Sequence, residues 1–511
     1  MKKMVTLFLV LSMIFGLSAA SLAEWVVPEE FVKIDLGIWD IMEAGDGKLT
    51  QYLREKFNFD ITIRNQDWEN NSYTETFKLW AAADDLPDAF CGYADQPWFI
   101  DFIDEELLRD IPVEMMEKYP RAYEQWKTDS LSQALYNYYG KVYYFPRLDG
   151  KPGFLEGAYT SGAAMYYRKD WAKKLGRSEP TNLDELLDLL IAFAQEDPDG
   201  NGQADTYGLT TTFRRSEGLF SWFNAYPFHW IVQDGQFIPG YMNSETMVDA
   251  LTWMRTAYQA GGLDPEYAGQ ITGFSSSTFG AYVYHSNPGW MDWIVNKTFG
   301  EANPDLGDPL DVVGYLVALP RHAGEDATVR PYFSDTMTVF SYKASDAVVD
   351  RMLNLIEWIM GDEGLITVAY GFEGETYEVT EAGKYKSLTD TFLADHPLTV
   401  LSGLPSWRAD SDFDIRFTNR TGDEEAMMRI GTEMLNSINA ASHNPRINFA
   451  LVPSILSTPE KAGFTFDYQA GLVKIITGTD DVAQMYDAFV AEAYDYGMQE
   501  VIDSINTVFN K

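Results

Sequence analysis

Between Phe31 and Cys91 the sequence switches back and forth between two hydrophobic periods, and this switching constrains the fold more than any other feature of the chain. Val32, Ile34, Leu36 and Ile38 recur every second residue, which places them on one face of a strand. Leu49, Tyr52, Leu53 and Phe57 follow helical spacing, and Ile61 and Ile63 open a second strand. A helical stretch from about Tyr73 to Ala83 leads through Leu86-Pro87-Asp88 to the short apolar run Ala89-Phe90-Cys91. Strand, helix, strand, helix, strand is the order of units that build parallel sheets with helices on both faces. Ligands of such sheets bind beyond the carboxyl ends of the strands. That rule selects Trp39 and Asp40 after the first strand, Gln66, Asp67 and Trp68 after the second, and Tyr93 after the third. The alternative for each tryptophan is to pack beneath its own loop.

A second α/β region begins near Gly150. Pro180 to Gln195 reads as an amphipathic helix with Thr181 as its cap and Leu183, Leu186, Leu187, Leu190, Ile191 and Ala194 on one face. Ser345 to Met360 reads as another, with Val349, Met352, Leu353, Ile356 and Met360 inward and Gly361 as its stop. The last helix spans roughly Val482 to Phe509. At 511 residues the chain exceeds what one hydrophobic core usually serves, so two lobes with a cleft between them are expected.

The first residues carry the three zones of a secretion signal: Lys2 and Lys3, an apolar run from Met4 to Leu17, and small residues ending at Ala23. The run is shorter than the roughly 20 residues that span a bilayer, so cleavage is expected to release a soluble, exported protein. Cys91 is the only cysteine; it lies far from the signal and cannot carry a lipid there, and alone it forms no internal disulfide. Stability must come from the core, for which 46% hydrophobic residues suffice. The formal net charge of −39 repels nucleic acid and anionic headgroups, so neither is expected as a partner.

The turn Asp197-Pro-Asp-Gly-Asn-Gly-Gln-Ala-Asp205 has the spacing of a calcium loop. Asp197, Asp199 and Asn201 stand at positions one, three and five, Gly202 at six, the carbonyl of Gln203 at seven and Asp205 at nine. Alternate residues of a tight loop converge on one ion, which suits a hard cation taking six to eight oxygens. Position twelve, a bidentate glutamate in an EF-hand, is Gly208, so Thr206, Glu217 or water would have to complete the shell. A filled cage leaves no open position for chemistry, and the expected role of Ca2+ is structural. The alternative is an Asp/Asn/Gly turn without metal.

Several segments together resemble bacterial extracellular solute-binding proteins that capture oligosaccharides, the alginate-binding and lipoprotein-type sugar binders among them. They are Leu86-Pro87-Asp88, Gly140-Lys-Val-Tyr-Tyr-Phe-Pro146, Tyr167-Arg-Lys-Asp-Trp171 with Leu175-Gly176, the loop at 197–205, and Gly371-Phe-Glu-Gly374 with Tyr377. The resemblance implies two α/β lobes, each a mixed sheet flanked by helices, with crossing strands as the hinge. It divides the chain after the signal at 1–23 into a first lobe of 24–148 and 325–395 and a second of 149–324 and 396–511. The alginate-binding branch carries calcium at this loop with a glutamate after its last aspartate, where this chain has Thr206.

Resemblance further implies the substrate-binding component of an ABC importer, a monomer that takes a carbohydrate and delivers it to permease subunits. Sugars present apolar C–H faces and a rim of hydroxyls, so a sugar cleft needs aromatic rings and hydrogen-bonding side chains together. Trp39, Trp68, Trp222, Trp290 and Trp407 are the candidate rings, and Asp40, Gln66, Arg168 and Arg408 the candidate polar partners. For Arg168 an ion pair with Asp170 or Glu179 is the competing reading. Two other functions stay open. One is a secreted glycoside hydrolase or lyase, for which no His-Glu-x-x-His, Gly-x-Ser-x-Gly or phosphate-loop motif is present and His229, His285, His322, His396 and His443 are scattered. The other is capture of a non-sugar solute such as a peptide, with Arg214, Arg215, Arg321 and Arg330 as possible lining.

Overall fold

The computed structural model describes residues 27–39, 46–66, 73–93, 97–147, 164–269, 274, 278–284, 293–316, 318–325, 327, 336–381, 383, 385–389, 401, 404 and 448–509. The signal segment, the crossing strands, Asp40, Trp68, Trp290, Trp407, Arg408 and Arg330 lie outside the described residues.

The strands are β1 (Val32–Trp39), β2 (Phe59–Gln66), β3 (Ala89–Tyr93), β4 (Tyr144–Arg147), β5 (Ala164–Arg168), β6 (Tyr207–Thr210) and β7 (Trp230–Gln233). They continue with β8 (Gln236–Pro239), β9 (Phe279–Tyr284), β10 (Val313–Leu316), β11 (Thr336–Phe340), β12 (Tyr377–Val379), β13 (Tyr385–Ser387) and β14 (Asn448–Phe449). One sheet has the order β2-β1-β3-β11-β4 and a second the order β10-β5-β9-β6. In the first, β1 is parallel to β2 and β3 while β11 is antiparallel to β3 and β4, so the sheet is mixed although its opening units are parallel. The second is mixed too, with β5 antiparallel to both neighbours and β6 parallel to β9.

Each sheet has its own core. Ile34, Leu36 and Ile38 are buried with Leu49, Leu53 and Phe57 of the helix Lys48–Phe57 and with Met352, Leu353 and Ile356 of the helix Asp346–Ile359. Under the second sheet the helix Leu183–Gln195 packs Leu186, Leu190 and Phe193 against Met247, Leu251 and Met254 of Ser244–Gln259 and Leu472 and Ile476 of Tyr468–Thr477. Each fully buried Leu, Ile, Phe or Met contributes roughly 1.5–3 kcal/mol relative to exposure. This is how the chain holds together with Cys91 buried and unbridged beside Thr338.

Two local expectations change. The cap of Leu183–Gln195 is Asn182, whose side chain accepts from Glu185 N, while Glu185 reaches back to accept from Thr181 N at 2.8 Å. Its buried face is accordingly shifted: Leu189, Ala192 and Phe193 are inside, and Leu187, Ile191 and Ala194 only half-buried. The final helix is two, Val482–Asp495 and Met498–Phe509, because Gly497 takes φ +101° between them. The helix Asp346–Ile359 runs between Ser345 and Met360 as its caps, and Gly361 stops it as expected while also capping the start of the next helix, Asp362–Tyr370. The segment Leu451–Ile455 also bridges the halves: β14 just before it pairs with β7, and Ile455 and Leu456 enter the aromatic core of Trp98, Phe99 and Tyr144.

Candidate functional site

Strand ends decide where the chemistry gathers. In the first sheet β1 and β2 finish together, Trp39 opposite Gln66, while Tyr93 and Arg147 finish β3 and β4 on either side of Thr336. This edge therefore carries the carboxyl ends of four strands, the ordinary place for a ligand. Gln66 is fully covered, its amide lying over Gly37; a β-carbon at Gly37 would stand 2.6 Å from Gln66 Nε2 and 2.9 Å from Phe90 Cβ. Tyr93 is half-buried, with its ring 6.1 Å from that of Tyr73.

In the second sheet β6 and β9 finish at Thr210 and Tyr284. The register aligns Tyr315, Tyr166, Tyr282 and Thr210 across all four strands. Ala281 and Val283 point into the helical core, so the period of two turns Tyr282 and Tyr284 to the opposite face. The Tyr166 and Tyr315 rings meet at 5.4 Å, Tyr282 stacks on Tyr284 at 5.3 Å, and Phe274 lies parallel to Tyr282 at 5.9 Å. Burial pushes the Tyr166, Tyr282 and Tyr315 phenols above their ordinary range, so these hydroxyls stay protonated at any physiological pH. Tyr284 is the half-buried end of the row, and the Arg215 guanidinium lies over its ring at 3.7 Å while Nη1 donates to the Tyr282 hydroxyl at 3.3 Å.

Both connections between the sheets join these two edges. The chain runs from Arg147 at the first to Ala164, opposite Tyr284, at the second; from Leu316 at the second it returns to Thr336 at the first. Both connections therefore begin and end at this same pair of edges.

A family model described as bacterial extracellular solute-binding protein matches residues 49–372, which include β2 to β11. The chain belongs to that family. Lipoprotein LipO of Bacillus subtilis is 28% identical over 236 residues, covering 44% of this chain and 46% of that protein. The polygalacturonan/rhamnogalacturonan-binding protein YtcQ of the same organism is 27% identical over 251 residues, covering 46% of this chain and 47% of it. The chain thus spans about half the length of the curated relatives it matches. The substrate-binding protein FusA of Streptococcus pneumoniae, solved with kestose, covers 94% of this chain and 98% of its own at TM-score 0.64 and 18% identity. FusA has also been solved as an EF-hand mutant with fructo-nystose, at TM-score 0.62 and 16% identity. At these identities the likeness is one of fold.

Two candidate ligand groups of this solute-binding protein are placed elsewhere. Arg168 ends β5 at the edge opposite Tyr284, its side chain 4% exposed. Its Nε donates to Asp170 Oδ1 at 2.7 Å and its Nη2 to Oδ2 at 2.5 Å, and the guanidinium lies 4.4 Å from the Trp171 ring and 5.2 Å from that of Phe299. The ion-pair reading of Arg168 is the one the structure supports, in a buried rather than a surface setting. Trp222, on the helix Glu217–Trp222, is 2% exposed and belongs to the second core, where its apolar area is worth more than on a rim. Conversely, the row of Tyr282 and Tyr284 was hidden in plain alternation: Phe279-Gly-Ala-Tyr-Val-Tyr284 is a strand with two rings on one side.

The loop at 197–205 is wound on itself. Asp197 Oδ1 accepts from Gly200 N and Asn201 N at 3.0 and 3.1 Å, and Oδ2 from Gly202 N at 3.0 Å. The Asn201 amide donates to Asp199 Oδ2 at 2.8 Å and to both oxygens of Asp205 at 3.2 Å. Desolvation works to raise the Asp197 carboxyl, but Asp199 and the three backbone donors outweigh it and hold it below the usual range. Among the described residues no three carboxylate, imidazole or thiolate groups form a ready metal cluster. Thr206 and Glu217 are already engaged: the Thr206 hydroxyl is buried and donates to Phe193 O at 2.7 Å, and Glu217 meets His229 Nε2 at 2.5 Å.

Proposed function

We propose that this solute-binding protein captures an oligosaccharide between its two facing sheet edges and presents it to the permease of an ABC importer. The observation that carries this reading is the buried row of Tyr315, Tyr166 and Tyr282 that ends on the half-buried ring of Tyr284 at one edge, with the half-buried ring of Tyr93 ending β3 at the other. Rings with one polar tip suit a molecule that is apolar on its faces and hydroxylated on its rim. Trp39, Trp290 and Trp407 would supply further rings, and Asp40, Trp68 and Arg408 further contacts, from the two lobes. FusA with kestose and YtcQ with polygalacturonan and rhamnogalacturonan, as their names state, support a sugar over a peptide.

Ligand would favour the closed arrangement because only closure brings both edges onto it, so binding shifts an existing equilibrium. The lobes would be 24–148 with 325–395 and 149–324 with 396–511. Among the described residues no helix is long and apolar enough to cross a membrane, and the protein would act as an exported monomer after removal of residues 1–23. It would bind without turnover: chromatography should recover the oligosaccharide intact, and appearance of shorter products would favour the hydrolase reading.

Calcium belongs to the same proposal. The donor set fits a hard cation in kind: Asp197, Asp199, Asn201 and Asp205 with the carbonyl of Gln203 would hold it once the Asn201 amide group turns from its carboxylate partners. The EF-hand named in the FusA structure supports a calcium loop in a protein of this fold. The ion, when bound, would supply charge neutralisation that fixes the loop between Gln195 and β6.

Titration calorimetry against a panel of neutral and acidic oligosaccharides tests capture. Alanine at both Trp290 and Trp407, or at Tyr284, should weaken binding about tenfold or more. Unchanged affinity in all of them would remove the cleft assignment.

A further inference from the structure

Arg215 is unusual for an arginine in this chain. Acidic residues outnumber basic ones 77 to 38, and most described arginines meet a carboxylate: Arg54 bonds Asp46 and Asp60, Arg64 bonds Asp35 and Asp85, and Arg321 bonds Asp249. Arg215 instead rests on two neutral groups, the face of Tyr284 at 3.7 Å and the hydroxyl of Tyr282 at 3.3 Å. Among the described residues no carboxylate pairs with it. Burial keeps the Tyr282 phenol protonated, so this support never becomes a counter-charge in the physiological range. The backbone is pinned as well, since Arg215 N donates to Thr212 Oγ1 at 3.2 Å just after β6. A half-buried guanidinium is thus fixed in orientation at the ligand edge with its charge left over.

We infer that the captured oligosaccharide bears a carboxylate, as in a uronic acid, and that Arg215 is the residue that recognises it; this rests on the capture reading above. Closure on a neutral sugar would strip water from the guanidinium with nothing to replace it, and burying an unpaired charge costs several kcal/mol. A carboxylate reverses that sign. The planar fork of arginine matches its two oxygens, and the tyrosine stack pre-orients the fork so that little side-chain entropy remains to be lost. The net charge of the whole protein disfavours anions at long range, so discrimination has to come from this local group. A lysine at the same position would keep the charge but lose both the stack and the fork.

Calorimetry with oligogalacturonates and oligomannuronates, each beside its carboxyl-reduced neutral counterpart, tests the inference on the full chain, on Arg215→Gln and on Arg215→Lys. The expected result is at least a tenfold preference of the unaltered protein for one acidic ligand over its reduced form. That preference is erased in Arg215→Gln and partly kept in Arg215→Lys, with ligand-free melting unchanged in the lysine variant. Equal affinity for the acidic and reduced forms, or a preference that survives in Arg215→Gln, would overturn the assignment while leaving sugar capture standing. Binding to none of the four ligands would count against sugar capture itself.

Discussion

The side-chain amide of Asn201 donates to Asp199 Oδ2 at 2.8 Å, and through its two hydrogens it also reaches Asp205. A neutral amide therefore stands where the loop concentrates negative charge, doing part of the work a cation would do better. Added Ca2+ should displace it and raise the melting temperature: at about 100 times the dissociation constant, one ion adds roughly 2.7 kcal/mol. Asp199→Asn combined with Asp205→Asn should abolish the difference between calcium and chelator. Superimposable melting curves of the unaltered protein in the two conditions would reject a cation at this loop.

Arg168 and Asp170 make the opposite case, a charge fully matched inside the protein. With the arginine side chain 4% exposed and Asp170 31% exposed, Arg168→Ala leaves a partly hydrated carboxylate beside an emptied slot between Trp171 and Phe299. The loss should approach, without reaching, the ~3–5 kcal/mol typical of breaking a buried pair from one side. Denaturant midpoints should fall while oligosaccharide affinity stays within about twofold. A large affinity loss at unchanged stability would return Arg168 to the ligand site.

How far the sequence could be read follows from where its signals are local. Period two in Val32 to Ile38 and the turn Leu86-Pro87-Asp88 are written in adjacent residues, and β1 and β3 form where they imply. Strand direction is not local: β11 enters the first sheet from beyond residue 335 and runs antiparallel, which no nearby residue announces. The site divides the same way. Gln66 at the end of β2 follows from strand order, whereas Arg168 and Trp222 have the right chemistry and the wrong surroundings, which only packing reveals. The aligned tyrosines needed the register of four strands, although β9 carries two rings spaced by two and β5 an adjacent pair, Tyr166 and Tyr167.

Gly37 connects stability to the rim. Its missing β-carbon leaves room for the Gln66 amide, and Gly37→Ala would press against Gln66 Nε2 and Phe90 Cβ at 2.6 and 2.9 Å. Overpacking of this kind costs about 1–3 kcal/mol, and the yielding group is the side chain nearest the ligand edge. Both the denaturant midpoint and the affinity for sugar should drop. A variant with neither effect would mean that Gln66 can leave β1 freely and does not help to shape the edge.

Lys461 gives a pH dependence whose sign can be worked out. Its ammonium donates to Pro453 O at 2.6 Å and Leu456 O at 2.7 Å beneath Trp230, and burial pushes its pKa down from 10.5 to about 8. Between these two values the unfolded chain holds a proton that the folded chain has released, so unfolding takes up a proton and stability rises with pH. Below pH 8 both states are charged and the gain is absent; above 10.5 it is complete. The two carbonyls favour the charged form and so work against burial. Lys461→Met removes the proton and keeps most of the volume. The stability difference between the unaltered protein and this variant should therefore climb from pH 8 to 10 in chemical denaturation, with the unaltered protein gaining. A flat difference over that range would show that Lys461 keeps its proton in the fold, held by the two carbonyls at the end of Leu451–Ile455.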